Sequence, residues 1–295
     1  MKTYSNCPVC NHSQFDNFLE CVDYTVSKES FNISVCNNCS FAFTNPIPQD
    51  SSIGSYYESE EYISHSNSKK GVVNGIYQLV RNYTISKKIH LLQSLGKGKT
   101  LLDIGCGTGE FLNACAQSGF TVHGVEPSET GRKQAHDNFK LIIKDESSIK
   151  DFNEKTFDFI SLWHVLEHVY HLNDRIQEIS RILKDDGYLI IAVPNRNSYD
   201  ASFYKEHWAA YDLPRHLYHF TPKNIKELFS KHDFFLYKTY PMKFDSYYVS
   251  LLSEKYKTGK SNLLKAFFIG FISNWKAKRE KTYSSQIYIL KKTPK

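Results

Sequence analysis

Three groups of residues in this chain could do chemistry, and they lie far apart in the sequence. The first is a pair of Cys-x-x-Cys knuckles, Cys7-Pro-Val-Cys10 and Cys36-Asn-Asn-Cys39. Two such knuckles can supply four thiolates at tetrahedral zinc spacing, and a rubredoxin-like iron site is the alternative. The second is the stretch Leu101-Leu-Asp103-Ile-Gly105-Cys106-Gly107-Thr-Gly109. Glycines at alternate positions let the backbone turn tightly and approach a ligand with no Cβ in the way. A helix opening there points its free N–H groups at that ligand. Asp103 beside the loop suits a cationic or hydroxyl-bearing ligand and would repel a pyrophosphate. The third group is Trp163-His164-Val-Leu-Glu167-His168, joined further on by Tyr211-Asp212-Leu-Pro-Arg215-His216. Histidines that are neutral near pH 7 can accept a proton or ligate a metal. His164 and His168 are four apart, which would put them on one face of a helix starting there, beside Glu167.

These residues need elements that bring them together. A helix is expected over Ile76, Leu79, Val80, Tyr83, Ile89, Leu92 and Leu95, which repeat at helical spacing; Gly96 stops it. Strand one begins near Thr100 and feeds the glycine loop, and a helix follows through Phe111, Leu112 and Cys115. Strand two is Val122–Pro127 with Glu126 at its end. Strand three is Leu141–Ile143, followed by Asp145 and Glu146. Strand four is Phe157–Leu162, and a helix is expected from about Leu166 to Leu183. Asp185-Asp186-Gly187 is a turn, and Tyr188–Val193 is strand five. Thr221-Pro222 opens a helix with a good N-cap and N1 pair. Strands at Phe234–Thr239 and Ser285–Leu290 close the pattern. Such alternation is that of an α/β doubly wound sheet, whose ligands sit beyond the carboxyl ends of the strands.

The glycine segment resembles motif I of the class I S-adenosylmethionine (SAM)-dependent methyltransferases. The resemblance implies a Rossmann-like doubly wound seven-stranded sheet with an antiparallel last strand. It also implies SAM as cofactor, with the loop around its amino acid end and Glu126 on the ribose hydroxyls. Asp145 and Glu146 fall where the family usually contacts adenine. Cofactor binding is thus expected at Asp103, Gly105, Cys106, Gly107, Gly109, Glu126, Asp145, Glu146 and Trp163. In related methyltransferases, tyrosines such as those of Tyr56-Tyr57-Glu58-Ser59-Glu60-Glu61-Tyr62 cover the methionine end of SAM; packing in the core is the other reading of them. An NAD-binding fold is the alternative for the loop.

For the acceptor, the ubiquinone O-methyltransferases and the plant small-RNA 2′-O-methyltransferases show a Glu-x-x-Glu-His metal site where this chain has His164-x-x-Glu167-His168. The small-RNA enzymes add a histidine five residues before a helix-capping Thr, and His216 stands five before Thr221. The resemblance implies a second divalent metal held by His164, Glu167, His168 and His216. A histidine in place of the first Glu would favour a nitrogen-loving metal such as zinc. The sugar C-methyltransferases also join a cysteine-rich zinc module to a SAM domain, and their Tyr-Asp-Glu-His stretch resembles Tyr211-Asp212 and His216. In them the histidine is a base. The further C-terminal domain of those enzymes is not expected here. Arg215 is read as either an acceptor-anion ligand or a structural salt bridge.

The chain has 295 residues and a net charge of +6, a mild excess that permits an anionic substrate without requiring nucleic acid. Apolar runs are short and there is no signal-peptide core, so a cytoplasmic protein without a transmembrane helix is expected. A cytoplasmic setting disfavours disulfides, so the knuckles read as a structural zinc ribbon. Cys21, Cys106 and Cys115 are unpaired by spacing and read as packing residues. The expected organisation is a zinc-ribbon module over residues 1–48, a linker with helices over 49–96, and a SAM-binding domain over 97–295. Residues 65–71 read as an exposed turn. An apolar, lysine-punctuated insertion at about 242–282 reads as a lid, a dimer surface or a peripheral membrane contact. The functional expectation is methylation of a small molecule or saccharide, such as a nucleotide-linked sugar. An RNA 2′-O-methyltransferase that docks RNA on its zinc ribbon is the alternative, and a zinc-bearing interaction module is the non-enzyme rival. The sequence leaves the oligomeric state open.

Overall fold

A computed structural model describes residues 1–57 and 72–294, with the backbone alone over 72–78. Tyr62 and the turn expected at 65–71 lie outside the described residues.

Two sheets organise the chain. The first is four-stranded, in the order β1 (Phe15–Val22), β2 (Ser30–Cys36), β3 (Ala42–Thr44), β9 (Tyr218–His219). The second is seven-stranded and contains β4 (Thr100–Ile104), β5 (Thr121–Val125), β6 (Ile143–Lys144), β7 (Phe157–Trp163), β8 (Leu183–Pro194), β10 (Phe234–Pro241) and β11 (Ser285–Lys292). Its order is β10-β11-β8-β7-β4-β5-β6. The pairs among β4, β5, β6, β7 and β8 are parallel, and β11 runs antiparallel between β8 and β10. This is the Rossmann-like sheet with an antiparallel last strand. The central strands are apolar on both faces because helices cover both; Leu101, Leu102, Ile160, Leu162, Ile190 and Ile191 are all buried.

The helices are α1 (Val72–Leu95), α2 (Glu110–Gln117), α3 (Glu129–Phe139), α4 (Leu172–Ile182), α5 (Tyr199–Tyr204), α6 (Pro222–Ser230), α7 (Asp245–Thr258) and α8 (Leu263–Glu280). Leu92 and Leu95 bury the end of α1, whereas Leu79 and Tyr83 of the same apolar series stay exposed. α6 starts as its sequence dictates: Pro222 occupies its first turn and the Thr221 hydroxyl accepts the Asn224 N–H.

Two expectations need correction. The helix after strand four begins at Leu172, not Leu166; Leu166–His168 is a single 3₁₀ turn. Asp185-Asp186-Gly187 does not separate two elements but bulges inside β8, where the register against β7 slips between Phe157 and Phe159. A sharp stop at Gly187 was the natural reading of its residue types, but the chain on either side keeps pairing.

The N-terminal residues are not a separate body. β3 pairs with β9 from the far end of the chain, and Cys7, Cys36, Phe41, Phe43 and Ile47 share one apolar core with Leu102, Ile104, Leu166 and Phe220. Phe41 packs against Phe43, Tyr218 and Phe220. Each buried ring contributes about 1.5–3 kcal/mol of transfer free energy.

Candidate active site

At the tip of β4 the chain turns through Gly105 (φ +70) and Gly107 (φ +55). These values are strained for any residue with a Cβ. A side chain at Gly105 would collide with Val165, whereas at Gly107 it would project into open space. Gly107 therefore leaves a cradle that a ligand can fill. The next strand tip supplies Glu126, whose carboxylate accepts the Gly107 N–H (2.9 Å) and the Ser128 N–H (3.0 Å). Glu126 is nine-tenths buried, and that burial raises its pKa despite the two backbone donors.

Asp103 is buried, and burial pushes its pKa up to about 7. The Ser161 hydroxyl donates to its carboxylate at 2.5 Å, and this bond together with the Lys88 ammonium limits the rise. Lys88 reaches in from α1 with Nζ 4.0 Å from the centre of the Trp163 ring, and burial lowers its pKa to about 8. Trp163 closes this side at the end of β7, edge-on to Phe111, with its indole N–H buried and unpartnered. Cys106 is partly buried in the loop, its thiol pKa raised by burial. Asp145 is half-exposed; it accepts the Ser147 N–H and pairs with Arg132. Glu146 pairs with Arg175 at 2.6 Å. Open glycine, acids at both strand tips and an orphan indole donor together fit a ligand with cationic and hydroxyl groups.

The second cluster forms across the carboxyl end of the sheet. Glu167, His168 and His216 offer ligand atoms within 4.8 Å of one another. Glu167 is 0% exposed, and neither of its oxygens has a hydrogen-bond partner. Its ion-pair partner is His164, 3.4 Å away, and a buried carboxylate without well-aligned hydrogen bonds is costly. Burial opposes its charge, but the imidazoles of His164, His216 and His168 around it hold its pKa below the usual range. The two histidines are aimed from behind. His216 Nδ1 lies 2.9 Å from the Ala210 carbonyl, and His168 Nδ1 lies 3.0 Å from the Arg215 carbonyl, with the Tyr57 hydroxyl also at 3.0 Å. A carbonyl can only accept, so each Nδ1 carries the hydrogen and each Nε2 keeps its lone pair.

His164 departs from its expected place. It sits at φ +57, outside any helix, so the shared helical face with His168 does not form. Its ring instead bridges Glu167 (3.4 Å) and Asp245 of α7 (3.2 Å). Burial works against its charge, but these two carboxylates outweigh it and push its pKa to about 10. Tyr211 is not among the three residues whose ligand atoms converge. It lies in a 3₁₀ turn that ends at left-handed Asp212 (φ +41), and its buried ring packs on Trp208 and His219. Arg215 proves to be structural: it is 2% exposed and its guanidinium N–H groups go to Asp212, Asp23, Thr25 and the Tyr56 carbonyl.

The N-terminal residues hold this second cluster in place. Thr44 of β3 donates to the His216 carbonyl at 2.6 Å, and the Thr44 N–H donates to the Leu217 carbonyl. The cysteines themselves converge: Cys7 and Cys39 sulfurs are 3.7 Å apart, Cys10 and Cys36 sulfurs 3.5 Å. Four thiolates ~2.3 Å from a tetrahedral ion would lie ~3.8 Å from one another. Sequence reading missed Lys88, Ser161 and Asp245, since none stands in a recognisable spacing with the residues it touches.

A family described as a methyltransferase domain matches residues 77–239. A ubiquinone biosynthesis O-methyltransferase of Actinobacillus pleuropneumoniae serotype 5b is 36% identical over 132 residues, covering 37% of this chain and 56% of that protein. Its counterpart in Vibrio parahaemolyticus is 31% identical over 123 residues, covering 39% of this chain and 50% of that protein. The chain thus spans about half the length of the curated relatives it matches. Among solved structures, the magnesium protoporphyrin IX methyltransferase of Synechocystis PCC 6803 with bound S-adenosylhomocysteine superposes with a TM-score of 0.53 at 15% identity, covering 81% of this chain and 97% of that one. A SAM-dependent methyltransferase from Thermotoga maritima gives 0.51 at 19% identity, covering 75% and 96%. These two share the fold. Since the family match takes in more than half of the sequence, including both glycine-loop and histidine clusters, the chain belongs to the class I SAM-dependent methyltransferase-domain family.

Proposed function

We propose that this chain methylates a hydroxyl of a small molecule, with Glu167, His168 and His216 as ligands of a divalent metal beside the acceptor. The observation that carries this is the Glu167 carboxylate, wholly buried, with His164 at 3.4 Å as its ion-pair partner, and facing two histidines whose Nδ1 atoms are already committed. A divalent ion there would supply Lewis acidity to the acceptor oxygen, and SAM supplies the methyl group on its sulfonium. The chain's own residues do the rest. Asp103 and Glu126 hold the donor's cationic and hydroxyl groups at the two strand tips. Gly107 lets it lie against backbone, and Trp163 bounds its pocket. His164 orients Glu167 and ties it to α7; in this it differs from the first Glu of the ubiquinone-type motif. The names of the ubiquinone-type relatives favour oxygen as the methylated atom.

The same residues support a metal-free variant, in which His216 Nε2 is a base on a saccharide acceptor, such as a nucleotide-linked sugar. Asp212, 3.9 Å from that nitrogen, would stabilise its protonated form. RNA docking on the ribbon is disfavoured by charge: residues 1–48 carry Lys2 and Lys28 against Asp16, Glu20, Asp23 and Glu29, and phosphate backbones demand the opposite sign.

The four cysteines are proposed to bind one structural zinc. Asn173 and Lys231 donate to the Pro8 and Val9 carbonyls of the first knuckle, and Asn224 to the Cys39 carbonyl of the second, so the site is braced by the methyltransferase domain. Metal analysis of purified protein tests both sites. One equivalent should survive His168→Ala and be lost in Cys36→Ser; a second should be lost in His168→Ala. A protein saturated at one equivalent, with turnover intact, would remove the metal-assisted route and leave His216 as base.

A further inference from the structure

The insertion between β10 and β11 folds into α7 and α8, and α8 has two unlike apolar faces. One is used: Ala266, Ile269, Gly270, Ser273 and Ala277 are buried. The other is not. Leu264, Phe267, Phe268, Phe271 and Trp275 repeat along the outer face, each between 51% and 77% exposed. Spacings of three and four place them in one stripe. Tyr247 of α7 stacks on one side of Phe267, and the stripe otherwise faces outward. So many large aromatic groups in a row are more than the scattered apolar residues of an ordinary surface.

The charges around the stripe say what would cover it. From Lys255 to Lys281 the chain has eight basic residues and one acidic, Glu280. Lys257 and Lys260 stand at one end of α8, and Lys278, Arg279 and Lys281 at the other, all exposed. A second copy of this chain would bring the same positive rim to the same face, so self-association meets like charge. A helix with Leu, Phe and Trp outward and Lys and Arg at its flanks is instead suited to lie in the plane of an anionic bilayer surface, its rings among the acyl chains and its cations at the headgroups. It would lie there and not cross, because no described helix is long and apolar enough to span a membrane.

We infer that the outer face of α8 docks this protein on anionic phospholipid membranes. The contact is linked to the candidate active site: α8 packs on α7, where Ser246 donates to the Gly270 carbonyl, and Asp245 of the same α7 turn holds His164. Membrane docking therefore places the acceptor cluster's own wall next to the bilayer, which suits an acceptor dissolved in lipid.

Vesicle flotation of the full chain tests this, with phosphatidylglycerol–phosphatidylcholine vesicles against pure phosphatidylcholine. The wild type should float with the anionic vesicles and not with the neutral ones, with a blue shift of Trp275 emission. Phe268→Ser with Phe271→Ser should weaken binding at least tenfold, as should Lys278→Glu with Arg279→Glu, while thermal unfolding and SAM affinity stay unchanged. Absence of wild-type binding to anionic vesicles overturns the inference, as does binding that both double variants retain. Concentration-dependent dimer mass in light scattering, lost in Phe268→Ser with Phe271→Ser, would assign the face to a second copy instead. No step of this measurement involves methyl transfer, so its failure leaves the reading of the active site standing.

Discussion

The proposed donor half and the proposed acceptor half of this site are built on different principles. Asp103, the glycine loop and Glu126 occupy two adjacent strand tips and the turn between β4 and α2, and their partners Lys88, Ser161 and Trp163 come from the same sheet and its covering helix. The acceptor half is assembled from distant segments. Glu167 and His168 follow β7 and His216 precedes β9; Tyr57, Thr44 and Asp23 reach over from the N-terminal residues, and Asp245 comes from the insertion. A donor site made from contiguous backbone can be kept while acceptor chemistry is changed by what is packed onto it. The cysteine module is then a buttress for the acceptor half.

If that division is right, damage on one side should not cross to the other. The largest effect is expected from Glu167→Gln. It keeps the shape, removes the charge and deprives His164 of one of its two carboxylate partners. Turnover should fall by more than the roughly 10–100-fold that losing an outer-shell partner of a metal costs, because Glu167 is proposed as a ligand itself, while SAM affinity measured by calorimetry stays within about twofold. Loss of SAM affinity in step with turnover would mean that the two halves are one unit.

Next comes Arg215→Met. Breaking a buried, multiply bonded ion pair by removing one partner costs about 3–5 kcal/mol, because Asp23 and Asp212 are left charged and unpaired. Asp23 is held well below the usual carboxylate range against the pull of burial, chiefly by Arg215, so its stabilisation is present at neutral pH and is lost as pH falls through that lowered value. Chemical denaturation should show the loss, and the surviving folded fraction should still bind SAM. An unchanged midpoint would show that the N-terminal residues do not brace His216.

Much of the donor half was legible in the sequence because its constraints are local. Gly105 and Gly107 adopt positive φ, which glycine reaches without strain in a tight turn between a strand and a helix. The four cysteines were equally legible, since knuckle spacing is itself a coordination geometry. The acceptor half was legible as residue types but not as geometry. His164 and His168 looked like helical neighbours, yet a positive φ at His164 sends its ring to Asp245, a residue of the insertion that no local pattern connects to it. Tyr211 was expected at the acceptor site and packs in the core, and Arg215, open between an acceptor ligand and a salt bridge, is the salt bridge; their neighbours Cys21, Asp23 and Thr25 are distant in sequence and close only after β3 meets β9.

Smaller effects sharpen the donor side. Asp103→Asn should weaken SAM binding about 10–100-fold, the cost of losing a charged hydrogen-bond partner. In the wild type the same group should give SAM affinity a pH dependence. Its pKa is about 7, so it is ionised above that pH and takes up a proton below it. Affinity for a cationic donor should then fall as pH drops from 8 to 6, and the fall should be absent in Asp103→Asn.

The smallest effect is the most discriminating. Ser161 sits buried on β7, and its hydroxyl donates to Asp103 at 2.5 Å. That bond favours the ionised carboxylate, so Ser161→Ala should raise the Asp103 pKa further. A charged hydrogen bond worth about 1.5 kcal/mol corresponds to roughly one pH unit. The midpoint of the SAM-affinity profile should therefore move to higher pH by about that amount, with the affinity at pH 9 nearly unchanged. A uniform loss at every pH would mean that Ser161 merely fills space; a midpoint that stays in place would mean that Asp103 is not the group being titrated, and that the donor's cation is held by something else at the strand tips.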